Sequence, residues 1–215
     1  MKELIIFDLD GTLLNTIADL AQSVNYALNK LGFPVHDEAA YNFMVGNGID
    51  KLFERALPKG EKSEENIRRV RELFVPFYAE HKMDKSRPYA GIPTLLEALQ
   101  QQNKLIAIAS NKYQAATEAL VAHYFAKIKF VAVFGQREGI SPKPNPTVVY
   151  DILDLTQTPK EQVLYVGDSG VDMQTAINSG VAACGVTWGF RPRTELESFR
   201  PDHLIDTAEE ILALI

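Results

Sequence analysis

Leu4-Ile5-Ile6-Phe7-Asp8-Leu9-Asp10-Gly11-Thr12-Leu13 stands near the start of the chain. Four consecutive apolar residues spell a strand buried on both faces, as in parallel sheets. Gly11 supplies a turn residue with no Cβ to restrict it. Two carboxylates, Asp8 and Asp10, fall where the strand ends, which is where open α/β sheets bind ligands. Burying like charges together is unfavourable unless a cation or a proton compensates. The stretch therefore points to a metal-dependent carboxylate site. Taken alone, an Asp-x-Asp pair fits equally a turn cap beside a solvated side chain.

Working outward, the next segment changes period. Ile17, Leu20, Ala21, Val24, Leu28 and Leu31 fall at helical spacing, with Asn15 or Thr16 as cap and Gly32 as stop. Asp37 caps a second helix through Ala40, Phe43 and Met44, which Gly46-Asn47-Gly48 breaks. Leu52, Phe53 and Ala56 mark a short third helix. Ser63, followed by Glu64 and Glu65, opens a fourth, with Ile67, Val70, Phe74, Phe77 and Tyr78 on its apolar face. Pro76 predicts a kink or a boundary there. Residues 15–85 thus read as an all-helical inserted domain.

From Pro88 onward strands alternate with helices. Strands are expected over 105–109, 130–134, 163–166, 181–186 and 203–205. Helices are expected between them, one with Pro93 in its first turn and the last opened by a Thr207–Glu210 capping box. This alternation specifies an α/β fold, a Rossmann-like parallel sheet with helices on both faces. Residues 1–14 and 86–215 form that core, and the helical block is inserted into it.

Composition narrows the function. The 215 residues are 46% apolar and 23% charged, ordinary for a globular protein. A net charge of −6 argues against broad binding of nucleic acid or of a membrane surface. It also requires local positive charge for any anionic substrate. The single Cys184 rules out an internal disulfide and reads as a buried, inert thiol in a reducing compartment. The apolar N-terminal run is too short for a signal peptide, and no stretch is long enough to span a membrane. A cytoplasmic monomer or homodimer acting on a small phosphorylated metabolite is expected. His36, His81, His123 and His203 share no metal-ligand spacing.

Polar residues collect just past the carboxyl ends of the expected strands. Asp8 and Asp10 follow the first, Ser110 and Asn111 the second, and Asp168 and Asp172 the fourth. Lys143 stands in the proline-bracketed loop after the third. Parallel strands put these ends on one edge, so distant residues should converge. Phosphomonoester hydrolysis needs such a mixture, because its uncatalysed rate is among the slowest known. A carboxylate takes the phosphoryl group covalently, and Mg²⁺ offsets the repulsion between the two anions. Mg²⁺ favours oxygen ligands, which Asp8, Asp10 and Asp168 offer. Ser110 and Asn111 can hydrogen-bond phosphate oxygens, and Lys143 adds charge where the transition state needs it.

At these residues the chain resembles the haloacid dehalogenase superfamily of phosphotransferases. Asp8-Leu9-Asp10-Gly11-Thr12, Ser110, Lys143 and Gly167-Asp168-Ser169 with Asp172 match its four signatures in order. The resemblance implies that Asp8 is the nucleophile and Asp10 the acid and then the base. It implies Mg²⁺ held by the side chains of Asp8 and Asp168 and the main-chain carbonyl of Asp10, with Asp172 at or just behind that shell. The helical block becomes the family's cap. Val45-Gly46-Asn47-Gly48-Ile49, Ser110-Asn111-Lys112 and Trp188-Gly189-Phe190 are similar to phosphoglycolate phosphatases.

On that likeness the amides of Gly46 and Asn47 meet a substrate carboxylate, although a plain helix–helix turn explains the same residues. Lys112 is a further candidate charge beside the phosphate donors, and a place on the surface is open to it as well. Arg191 and Arg193 are expected as solvated loop charges, with a substrate carboxylate as the other partner open to them. The leading substrate is 2-phosphoglycolate. The alternatives are another small phosphorylated metabolite or pyrophosphate, and a mutase that returns the phosphoryl group to a sugar phosphate. Haloacid dehalogenation has no use for Asp10 or a metal set. A non-catalytic module has no use for the full complement of chemical residues.

Overall fold

A computed structural model describes residues 1–215. The elements in order are β1 (Leu4–Phe7), β2 (Leu14–Asn15), α1 (Ile17–Lys30), α2 (Ile49–Ala56), α3 (Glu64–His81), β3 (Arg87–Pro88) and α4 (Ile92–Gln101). They continue with β4 (Leu105–Tyr113), α5 (Gln114–Tyr124), β5 (Ala132–Gln136), α6 (Thr147–Thr156), β6 (Val163–Gly167) and α7 (Gly170–Ser179). The chain closes with β7 (Ala182–Val186), α8 (Arg193–Ser198) and β8 (His203–Ile205). Short 3₁₀ turns cover Glu38–Phe43, Lys160–Gln162 and Ala208–Ala213. The last of these carries the expected capping box, with Thr207 and Glu210 satisfying each other's backbone N–H groups.

Six strands form one parallel sheet in the order β5-β4-β1-β6-β7-β8. β1 lies inside it, with Phe7 in register with Ile108 of β4 and Val166 of β6. All four β1 residues are fully buried, as the unbroken apolar run predicts. Their alternation divides two cores. Ile5 and Phe7 pack with Leu95, Leu96 and Leu120 on one face, and Leu4 and Ile6 with Val149, Ile152 and Met173 on the other. Because β1, β4 and β6 start in register, Asp8, Ser110 and Asp168 emerge at a common edge.

The helical segment builds a third apolar cluster, with Leu20, Val24, Phe53, Phe74 and Tyr78 at its centre. Here the second expected helix is only the 3₁₀ turn Glu38–Phe43, whose sole fully buried residue is Tyr41. One buried side chain anchors too little for a longer helix. α3 runs unbroken through Pro76. Where the chain leaves and re-enters the core, β2 and β3 pair antiparallel, a ribbon that the sequence pattern did not signal. Asp19 of α1 accepts from Lys85 N (3.0 Å), Ser86 N (2.8 Å) and Ser86 Oγ (2.7 Å), which fixes the returning strand. No helix is long and apolar enough to cross a membrane.

Candidate active site

Asp8 follows β1 directly and donates its N–H to Val166 O at 2.9 Å, so the sheet ladder itself sets its position. Lys143 Nζ reaches the same point from the loop after β5. It lies 2.9 Å from Asp8 Oδ1 and 2.7 Å from Asp172 Oδ1. It also donates to Ala109 O at 2.8 Å and Tyr165 Oη at 3.0 Å. Asp168 follows β6 and accepts from Phe190 N at 2.7 Å and Thr12 Oγ1 at 3.3 Å. Asp172 belongs to the capping box of α7, taking the Ser169 hydroxyl at 2.5 Å and its N–H at 3.2 Å. One end of that carboxylate thus caps a helix while the other meets the lysine.

Glycines let these groups approach one another. Gly11 has φ +87°, and a Cβ there would stand 2.3 Å from Asp168 Oδ2. A Cβ on Gly189 would stand 2.2 Å from Asp168 Cβ and 2.4 Å from Gly11 O. Trp188 Nε1 donates to Thr12 O at 3.0 Å, so the Trp188-Gly189-Phe190 segment closes over the first motif and supplies an amide to Asp168. Sequence reasoning quoted that segment only for its likeness and missed this packing, along with the roles of Thr12 and Tyr165. A glycine between two large aromatic residues was the available signal.

The charges do not balance within the protein. Carboxylate oxygens of Asp8, Asp168 and Asp172 lie within 4.8 Å of one another, and one lysine faces them. Three ionised carboxylates against one ammonium leave −2 in a buried space. Burial pushes the Asp8 carboxyl up to about 7, with Lys143 opposing and Asp172 and Asp10 adding to the rise. Burial, then the neighbouring Asp172 and Asp8, holds Asp168 well above the usual carboxylate range. Burial would lower Lys143, but Asp172 and Asp8 override it and hold the lysine well above its ordinary value. Asp8 Oδ1 is buried and accepts no hydrogen bond, since Lys143 approaches it outside hydrogen-bonding directions. A hard divalent cation fits this donor set, which offers carboxylate oxygens, an orphaned buried oxygen and two uncompensated negative charges.

Asp10 faces a different partner. Thr16 Oγ1 donates to it at 2.6 Å, and Lys112 Nζ at 3.0 and 3.1 Å to its two oxygens. The Lys112 side chain is 3% exposed and sits 4.9 Å from the centre of the Tyr78 ring of α3. The surface role open to Lys112 in the sequence is therefore excluded. It lies there because β4 stays extended past its apolar run: the strand expected to stop at 109 continues to Tyr113, which re-pairs with Gln136 after an irregularity. β5 is displaced with it, over Ala132–Gln136 instead of 130–134.

Asp8, Asp10, Ser110, Asn111 and Lys112 form one side of a cavity of about 40 Å³ between the sheet edge and the helical segment. Leu20, Val45, Ile49 and Leu52 form the other, with Gly46 and Gly48 at its rim. Gly46 turns its carbonyl to Asn111 Nδ2 at 2.9 Å. Asn47 does not line this space, and its side chain accepts from Arg55 at 2.7 Å. The Asn111 amide, offered to phosphate by the sequence reading, is occupied by Gly46 and Lys143. Arg191 corrects another expectation. Its side chain is 10% exposed and donates to Val45 O at 2.9 Å, because the 188–191 segment folds under the helical block. Arg193 is exposed, pairing with Asp206. Burial pushes the Cys184 thiol up to about 12, an inert packing residue as expected.

Comparisons with known proteins bear on this geometry. The family model for haloacid dehalogenase-like hydrolases matches residues 5–186. A phosphoglycolate phosphatase of Vibrio parahaemolyticus is 35% identical over 99% of the chain and 96% of its own length. One from Haemophilus influenzae is 31% identical over 99% of the chain and 98% of its own length. A solved structure from Haemophilus somnus, described as a predicted phosphoglycolate phosphatase, superposes with a TM-score of 0.92 at 30% identity. It covers 99% of the chain and 97% of that structure.

Proposed function

The chain belongs to the haloacid dehalogenase-like hydrolases, and from that premise we propose an Mg²⁺-dependent phosphatase that transfers the phosphoryl group of a small phosphomonoester to Asp8 and then to water. The observation that carries this reading is the Lys143 ammonium held between Asp8 and Asp172 beside a buried carboxylate oxygen without a hydrogen bond. That arrangement is suited to a nucleophile kept in place and awaiting an electrophile.

In this reading the Asp8 carboxylate attacks phosphorus as the ester P–O bond breaks. Asp10 gives its proton to the departing alkoxide oxygen, and Lys112 and Thr16 hold the carboxyl for that transfer. Asp10 next takes a proton from water attacking the aspartyl-phosphate, which releases inorganic phosphate and frees Asp8. Ser110 meets a phosphoryl oxygen, and the Lys143 ammonium, its three N–H groups held by Ala109, Tyr165 and Asp172, acts as a fixed positive charge beside Asp8, where charge spreads in the transition state. Mg²⁺ would be held by Asp8, Asp168 and the Asp10 carbonyl, with Asp172 at or behind them, and would supply charge neutralisation for the two anions. Residues 15–85 act as a cap on a core of 1–14 and 86–215, and their closure excludes water.

A cavity of about 40 Å³ leaves room for only a few water-sized groups. Its cap side offers apolar side chains together with Gly46, Gly48 and the start of α2. This supports a short acidic leaving group, and 2-phosphoglycolate, the substrate in the name of the relatives, leads. The test is phosphate release from a panel of phosphorylated metabolites with Mg²⁺, ranked by kcat/KM. Two-carbon and three-carbon acid phosphates should rank first, and Asp8→Asn should abolish turnover. Full activity in Asp8→Asn, or a rearranged sugar phosphate without net phosphate release, overturns the reading.

A further inference from the structure

Asn111 has its hydrogen-bonding capacity taken up by the protein. Its Nδ2 donates to Gly46 O at 2.9 Å and to Lys143 O at 3.0 Å, and its Oδ1 accepts from Lys143 N at 2.8 Å. The orientation of the amide is fixed, because only the oxygen end can face an N–H group. Both donor hydrogens are in use and the residue is buried, so no N–H remains for a phosphate oxygen. The side chain stands where three segments meet: the end of β4, the turn over 43–48, and the loop that carries Lys143. Arg191 grips the same turn from the core. It donates to Val45 O at 2.9 Å and to Phe43 O at 3.4 Å, with its guanidinium 5.3 Å from the centre of the Phe43 ring.

We propose that Asn111 is a positioning residue that couples docking of the helical segment to placement of Lys143. With the 43–48 turn seated, the Asn111–Lys143 bonds are shielded from water, where hydrogen bonds are stronger. With the turn lifted, Nδ2 loses the Gly46 carbonyl and water reaches the amide. The same water then competes for the Lys143 N–H and C=O groups, and the ammonium loses its fixed approach to Asp8 and Asp172. The charge is thus fully placed only beneath a closed cap. This rests on the reading of Lys143 proposed above only for the chemical consequence; the coupling is a property of the fold.

Amide hydrogen exchange tests it on the full-length, metal-free protein. Lys143 is flanked by Pro142 and Pro144, which have no N–H, so its amide is read by itself by NMR. Arg191→Met removes the second grip on the turn without touching Asn111 or Lys143. Exchange over 43–48 should quicken at least about tenfold, the factor of losing hydrogen bonds from a charged donor, and the Lys143 amide should quicken by a similar factor. In Asn111→Ala the Lys143 amide should exchange fast, and adding Arg191→Met should quicken it no further. An unchanged Lys143 amide in Arg191→Met overturns the proposal, whether or not the turn loosens. So does a further acceleration in the double variant. No turnover enters the readout, so its outcome is separate from that of the phosphatase assay.

Discussion

Replacing Lys143 with Met removes the one cation among three buried carboxylates, and the cost can be worked from the structure. The methionine fills similar volume but leaves Tyr165 Oη without its donor, Ala109 O with only the Tyr165 hydroxyl at 3.4 Å, and Asp8 and Asp172 without their charge partner. The cluster must then take up one further proton to keep its net charge. Protonating a carboxyl whose ordinary value is 3.8 costs about 1.4 kcal/mol per pH unit above it, hence about 4 kcal/mol at pH 7 and about 1.5 kcal/mol at pH 5. The first figure agrees with the ~3–5 kcal/mol seen when a buried ion pair loses one partner. Urea unfolding of Lys143→Met and the parent protein, in chelator at pH 5 and 7, measures both. Turnover should fall by about 10²–10³, as for loss of one preorganised electrostatic contact. A loss of stability below about 1 kcal/mol at pH 7, or an equal loss at the two pH values, refutes the charge accounting.

Two further outcomes follow from the same cluster. In the metal-free protein Asp8 keeps its proton up to about 7, whereas an unfolded chain releases it near 3.8. The stability contributed by that proton is greatest below about pH 4 and is lost as pH rises through 7. Mg²⁺ held by these carboxylates would take the place of the proton. At a hundredfold excess over Kd it should add about 2.7 kcal/mol, which is about 5–10 °C in Tm for a chain of this length. At one fixed Mg²⁺ concentration the rise should be larger at pH 8 than at pH 6, because the apparent Kd falls as the carboxyls ionise, and equal shifts measured by calorimetry contradict the account. Gly11→Ala puts a methyl 2.3 Å from Asp168 Oδ2 at φ +87°. It should weaken Mg²⁺ binding at least about tenfold while leaving the sheet folded; unchanged affinity by titration calorimetry argues against Asp168 as a ligand.

Much of the frame was legible because the local patterns agree with the global fold. The run over 4–7 gave a central strand, and its alternation gave two cores. Strand ends on one edge brought Asp8, Ser110, Lys143, Asp168 and Asp172 together from four places in the chain. What was not legible is what backbone does when side chains fall silent. β4 continues through the polar Ser110-Asn111-Lys112 because pairing with β5 resumes at Tyr113, and no apolar period announces that. The β2–β3 ribbon spans two residues on each side, too short to carry a pattern. Arg191 read as a surface charge, and a surface place stayed open to Lys112, because long cationic side chains are usually exposed. Their burial depends on which backbone carbonyls and carboxylates the helical segment brings to them. The saturation of Asn111 likewise needs three segments in place before it can be seen.

The central claim is that the phosphoryl group rests on Asp8 during turnover. Rapid acid quench of the Mg²⁺-loaded protein with the best substrate, followed by peptide mass mapping, addresses it directly. The account predicts phosphate on the peptide carrying Asp8 within the first turnover, before free phosphate reaches its steady rate, and none in Asp8→Asn. Product formation with no phosphorylated peptide at any quench time, or phosphate on a different residue, would contradict it.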